Sequence, residues 1–94
     1  MRTIERASAF KRDYKRVKVT PKHTKDVDPL LSTVVTLLLA DQALPLNNRD
    51  HALSGDWNGY RECHVKPDLL LLYRKPDAHT LRLARLGSHS ELFG

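Results

Sequence analysis

Apolar residues in the first fifth of the chain fall at Phe10, Tyr14 and Val17, the i, i+4, i+7 spacing of a single helical face. Lys11, Arg12, Lys15, Arg16 and Lys18 occupy the opposite face, so an amphipathic helix with a cationic outside is predicted, with Ser8 as its N-cap. Thr20-Pro21 interrupts this pattern. Asp28-Pro29 then offers a cap followed by proline at a first helical position, and a second helix runs to about Gln42. Leu30, Leu31, Val34, Val35, Leu37, Leu38 and Leu39 cover most of its girth, which marks it as the central core helix, and Pro45 closes it. Beyond this point the period changes. Arg2 to Arg6, Tyr60 to Val65, Leu69 to Tyr73 and Thr80 to Leu86 read as strands, the last three joined by turns at Lys66-Pro67-Asp68 and Lys75-Pro76-Asp77-Ala78. Leu69 to Tyr73 is apolar on both faces, as a central strand should be. Leu46 to Asn58 reads as a polar loop holding His51. The order β-α-α-β-β-β predicts an α+β domain, two N-terminal helices on one face of a small twisted antiparallel sheet.

At 94 residues, the chain has room for one domain, residues 1–94. Its net charge of +5 is unevenly placed: nine Lys and Arg lie in residues 1–25 against Glu5 and Asp13. So one-sided a stripe points to an anionic partner such as nucleic acid, a membrane surface or an acidic protein. Cys63 is the single cysteine, which excludes an internal disulfide and suits a reducing compartment. The longest apolar run, Val34 to Ala40, is far too short to cross a bilayer, and a soluble cytoplasmic protein without membrane attachment is expected.

The candidate chemistry lies in the C-terminal half. His51, His64, Asp68, Arg85 and His89 supply what RNA cleavage without a metal requires: a base for the 2′-OH proton, a cation for the phosphorane oxygens and an acid for the departing 5′-oxygen. Histidine titrates near working pH, and the arginine fork matches phosphate. Meander pairing should bring His64 and Asp68 together across the Lys66-Pro67 turn. Spacing alone does not bring His51 and His89 to them. Arg85 shares strand parity with the apolar Leu81 and Leu83, which requires a bulge or a strand end if it is to serve a site. His23 and His79 sit in turn-like, polar surroundings and fit surface roles. No paired-histidine helix motif or cysteine pair suggests a metal or any other cofactor.

Asp50-His51-Ala52-Leu53-Ser54-Gly55-Asp56-Trp57, then Gly59-Tyr60-Arg61, His64-Val65-Lys66-Pro67-Asp68 and Gly87-Ser88-His89-Ser90-Glu91-Leu92-Phe93-Gly94, resemble in combination and order the YafQ branch of the RelE/ParE toxin superfamily. The likeness covers nearly the whole chain. It implies a RelE-like fold and the toxin of a type II toxin–antitoxin pair, one that enters the ribosomal A site and cuts mRNA there without a metal. Positions matching His51, His64, Asp68, Arg85 and His89 are tied to cleavage in that family, and Phe93 is implicated beside them. Carried over, His64 with Asp68 would manage the 2′-OH proton and the mRNA backbone, and Arg85 would hold the phosphate. His89 or His51 would be the acid, and Phe93 would stack on a base. Arg61 and the cationic helix residues Lys11, Arg12, Lys15 and Arg16 would contact RNA. Leu69 stands where the family often has Trp, which bears on base contacts rather than on the chemistry. The resemblance also implies a cognate antitoxin that covers the basic surface and reaches operator DNA on the toxin's behalf. Two other readings of the fold are a gyrase-poisoning toxin, which needs no catalytic histidines, and a noncatalytic ribosome-binding module.

Overall fold

The computed structural model describes all of residues 1–94. It comprises β1 (Thr3–Arg6), α1 (Ser8–Val19), α2 (Val27–Leu39), β2 (His51–Ala52), β3 (Arg61–Lys66), β4 (Leu69–Asp77), β5 (Thr80–Gly87) and α3 (His89–Phe93), with single 3₁₀ turns at Leu46–Asn48 and Gly55–Trp57. The five strands form one sheet in the order β1-β5-β4-β3-β2. All neighbours are antiparallel except β1, which runs parallel to β5. The sheet is therefore mixed. The chain leaves β1 through two helices and returns by the far edge, so the first and last strands meet in the same direction.

The apolar stripes of α1 and α2 pack on one face. Phe10, Val17, Leu31, Val34, Val35 and Leu38 meet Cys63, Val65, Leu69, Leu71, Tyr73, Leu81, Leu83 and Leu86 in a single core. Leu70, Leu72 and Ala84 point to the other face, where α3 contributes Leu92 and where Leu53, Trp57, Tyr60 and Phe93 form a partial cover. That second face carries no long helix. β4 is buried on both sides from Leu69 to Tyr73, as its continuous apolar run requires.

Several local details depart from the expected pattern. α2 starts at Val27 with Asp26 as cap, and Pro29 is its third residue. The preceding segment is already coiled: Thr24 and Val27 donate their N–H groups to Thr20 and His23, so the helix does not begin from an open end. His23 is buried there, its Nδ1 3.1 Å from the Lys66 ammonium, rather than lying on the surface. The stretch read as a polar loop holds the edge strand β2 and both 3₁₀ turns. β4 continues through Lys75 and Pro76 to Asp77, with a register shift after Arg74 that accommodates the proline, so the turn narrows to Ala78-His79.

β1 ends at Arg6, and α1 continues along the β5 edge where the strand stops. The Ala7 N–H donates to the Leu83 carbonyl (3.0 Å), the Leu86 N–H donates to Asp13 Oδ2 (3.0 Å), and Arg16 donates to the Leu86 carbonyl (3.0 Å). The backbone of β5 beyond the end of β1 is thereby satisfied by the Ala7 N–H and by side chains of α1.

Candidate active site

The strand register lays the titratable residues out in rows. His51 pairs with Glu62, Glu62 with Leu72, and Leu72 with Arg85, one row across four strands. In the next row His64 pairs with Leu70 and Leu70 with Gly87, which leads into the cap of α3. Cross-strand partners share a face. Both rows lie on the side of the sheet away from α1 and α2, with Leu70 and Leu72 as an apolar floor between them.

Arg85 reaches this face because β5 is bulged. Tyr73 pairs with Leu83 and Leu72 with Arg85, so Ala84 is an extra residue and strand parity reverses after Leu83. The Arg85 guanidinium then turns along the β5 edge to Asp13, with Nε 2.6 Å from Oδ2 and Nη2 3.2 Å from Oδ1. Burial alone would raise the Asp13 pKa, but Arg85, the Leu86 N–H and Arg16 outweigh it and hold the carboxyl below its usual range.

On the opposite flank, Glu62 sits between two histidines. His64 Nε2 lies 3.5 Å from Oε1, and His51 Nε2 lies 3.8 Å from Oε2. The carboxylate is buried, the His64 ring is partly covered, and the His51 ring is exposed. The His51 Nδ1 is 2.8 Å from the Arg49 carbonyl, which favours a proton on Nδ1 and leaves Nε2 facing Glu62. Asn48 donates to the His64 carbonyl (2.7 Å) and fastens the loop to β3.

The third part is α3. Ser88 caps it by a reciprocal box with Glu91, and the box and nearby Arg16 hold the Glu91 carboxyl below its ordinary range. The His89 ring leans on Phe93, with centroids 5.0 Å apart at 49°. Across β4, the Glu62 and Arg85 strands are about 9–10 Å apart. The arrangement is thus a shallow cleft: two histidines and a carboxylate on one bank, an arginine, a histidine and a phenyl ring on the other, with Leu70 and Leu72 buried between them under Leu53, Trp57, Tyr60 and Phe93.

The family of bacterial toxins of type II toxin–antitoxin systems designated YafQ matches residues 2–94. The chain belongs to the YafQ toxin family. It is 39% identical to the mRNA interferase toxin YafQ of Escherichia coli K12 over 93 residues, covering 99% of this chain and 97% of that one. In the crystal structure of the E. coli DinJ–YafQ complex, a chain with 38% identity superposes with a TM-score of 0.84 over 100% of both chains. A metal-bound toxin from Helicobacter pylori is 47% identical, with a TM-score of 0.84 over 99% of this chain and all of that one. In the present chain no three His, Cys, Asp or Glu side chains are grouped as metal ligands.

Within this YafQ-family fold, the residues expected from the sequence fall into four sets. His51, His64, Arg85, His89 and Phe93 border the cleft. Asp68 lies exposed at the tip of the β3–β4 hairpin and pairs with Lys22 (2.9 Å), whose hydrogen bond keeps its pKa low; the acid that meets His64 is Glu62. Arg61 points to the helix side of the sheet with its partner Tyr73, and both donate to Asp50 (3.2 and 2.6 Å). Lys11, Arg12 and Lys15 are exposed, whereas Arg16 folds back onto Asp13, Leu86 and Glu91. Sequence reasoning missed Glu62, although the period of two in Arg61-Glu62-Cys63-His64 puts it on the face of His64. It also missed Asp13, the one acid on the apolar face of α1. Cys63 is fully buried, and burial with Asp50 and Glu62 nearby pushes its thiol up to about 12, so it is no nucleophile.

Proposed function

We propose that this chain is the toxin of a type II toxin–antitoxin pair and that it cuts translated mRNA in the ribosomal A site by acid–base chemistry that needs no metal. The observation that carries this is the pair of rows: His51, Glu62 and His64 on one side and Arg85 on the other flank β4 on the sheet face the long helices leave open. The relatives support the same activity, since the E. coli protein is named an mRNA interferase and is seen with its partner DinJ.

Substrate spans the two banks. His64, with Glu62 behind it, takes the 2′-OH proton; the 2′-oxygen attacks phosphorus; Arg85 carries the phosphorane charge; His89 protonates the leaving 5′-oxygen. The products are a 2′,3′-cyclic phosphate and a 5′-hydroxyl, so the protons balance. His51 shares Glu62 and contacts phosphate. Phe93, already against His89, stacks on a base. Asp68, paired with Lys22 at the tip of the β3–β4 hairpin, has no part in the proton transfers. The cognate antitoxin covers the basic surface of α1, and operator DNA is reached only through it.

The test is induction in cells of wild type, His89→Ala and Glu62→Gln, with mRNA 5′ ends mapped by primer extension. Wild type gives new in-frame cuts inside translated codons, and His89→Ala reduces them by about 10²–10⁴-fold. Growth arrest with intact mRNA would eliminate the reading and turn the search to gyrase.

A further inference from the structure

α3 is five residues long, too short to hold itself together in water, and buries only Leu92. Yet it carries His89 and Phe93. What holds it from outside is Arg16 of α1. The guanidinium fans over three elements: Nη1 donates to Asp13 Oδ1 (2.9 Å), Nη2 to the Leu86 carbonyl (3.0 Å), and Nε lies 3.1 Å from Glu91 Oε2. Glu91 is also the carboxylate that closes the cap of α3, and Asp13 is also the carboxylate that holds Arg85.

Gly87 bears the mark of this passage. Its φ is not in the left-handed region, so backbone conformation does not call for glycine there. A Cβ at Gly87 would stand 2.9 Å from Arg16 Nη2, 3.1 Å from Glu91 Oε1 and 3.4 Å from Leu92 Cδ2. The missing side chain is the space through which the guanidinium and the carboxylate meet.

We propose that Arg16 is a positioning residue, a clip that fixes α3, and with it His89 and Phe93, against the Asp13–Arg85 pair. A chain Glu91–Arg16–Asp13–Arg85 runs through α1 and joins the helix that carries His89 to Arg85, the two groups that the proposed cleavage assigns to the leaving oxygen and the phosphate. The catalytic role of this geometry rests on the function proposed above; the clip itself does not. It also takes Arg16 out of the RNA-contacting set in which its charge had placed it. A guanidinium already spent on three acceptors has little left for a phosphate.

The experiment compares wild type with Glu91→Gln, Arg16→Lys and Gly87→Ala. Glutamine keeps the capping box but not the ion pair, so it opens the clip without stranding Asp13. The first readout is the ¹⁵N order parameters of residues 89–93 in the free protein. Wild type should show roughly 0.85, and the three variants below about 0.6 in α3 with the β-strands unchanged. The second is the single-turnover cutting rate on programmed ribosomes at saturating toxin, expected to fall about tenfold in Glu91→Gln from misplacement of His89. A surface-charge role predicts the reverse: Glu91→Gln removes a negative charge and should bind ribosomes more tightly and cut at least as fast, and Arg16→Lys should be silent. Order parameters in α3 that match wild type in all three variants would overturn the clip. Loosened α3 with an undiminished cutting rate would overturn its role in positioning. If wild type itself leaves mRNA intact, the proposed cleavage fails, and the order parameters still decide whether Arg16 holds α3.

Discussion

Asp13 is the only charged residue that α1 takes inside, and four hydrogen bonds converge on it: two from Arg85, one from Arg16 and one from the Leu86 N–H. Burial alone would raise its pKa from the ordinary 3.8, and those bonds together bring it lower instead. A carboxyl whose pKa is depressed by folding adds stability that is present above its unfolded pKa and is lost as pH falls through the folded one. Wild-type stability should therefore decline as pH drops from about 4 downward. Asp13→Asn should lose about 3 kcal/mol near neutral pH, the low end for a broken buried pair because both arginines still reach water. It should also show a shallower acid limb, since one of the carboxyls that titrate there is gone. Urea unfolding at a series of pH values measures both effects; an asparagine variant whose acid limb parallels wild type would mean that Asp13 does not hold its proton-free state.

At the scale of elements, the helices and three long strands could be read from the chain because their apolar periods are long and regular: Phe10, Tyr14 and Val17 on one helix, Leu69 to Tyr73 on one strand. What could not be read depends on contacts made elsewhere. β2 is two residues long and exists only because β3 offers it an edge. The bulge was half legible: the parity of Arg85 with Leu81 and Leu83 called for a bulge or a strand end, and the pairing with β4 shows that it is a bulge, at Ala84. Arg85 was thus named by the chemistry and the family resemblance, and its parity left two routes open, between which only the pairing decides. α3 was hidden for a related reason: Ser88 and Glu91 spell a capping box, but five residues give no helical period to detect. Its shallow anchorage leads to a prediction. A chain ending at Gly87 loses the burial of Leu92, about 2 kcal/mol, and re-exposes Leu70 and Leu72, yet keeps the whole helix-side core. It should stay folded with a lowered urea midpoint and lose cutting altogether. A truncated protein that still cuts mRNA would place the general acid outside α3 and return that role to His51.

The whole molecule divides its two faces between two tasks. The helix face holds the core and, outside it, the cations of the first 25 residues; the open face holds the cleft. Not all of that charge is available to a partner. Lys18 is paired with Asp28, Lys22 with Asp68, and Arg16 with Asp13 and Glu91. Lys11, Arg12 and Lys15 have no acid partner and stand exposed on α1. In a molecule only 36 × 28 × 27 Å across, three unpaired cations on one helix make a concentrated positive field that ribosomal RNA would meet phosphate by phosphate. Each such contact releases a counterion, so affinity should fall steeply with salt, by nearly one unit of logarithmic slope per phosphate neutralised. Replacing Lys11, Arg12 and Lys15 with glutamine should therefore weaken ribosome binding at low salt and flatten its salt slope by about two to three units. The paired cations at Lys18 and Lys22 supply the internal comparison: replacing those two should change the slope much less, because their phosphate contacts must first displace a carboxylate. Binding isotherms on ribosomes across a salt series measure this. An unchanged slope in the triple variant would mean that α1 does not touch RNA, and its free charge would then be left for an acidic antitoxin.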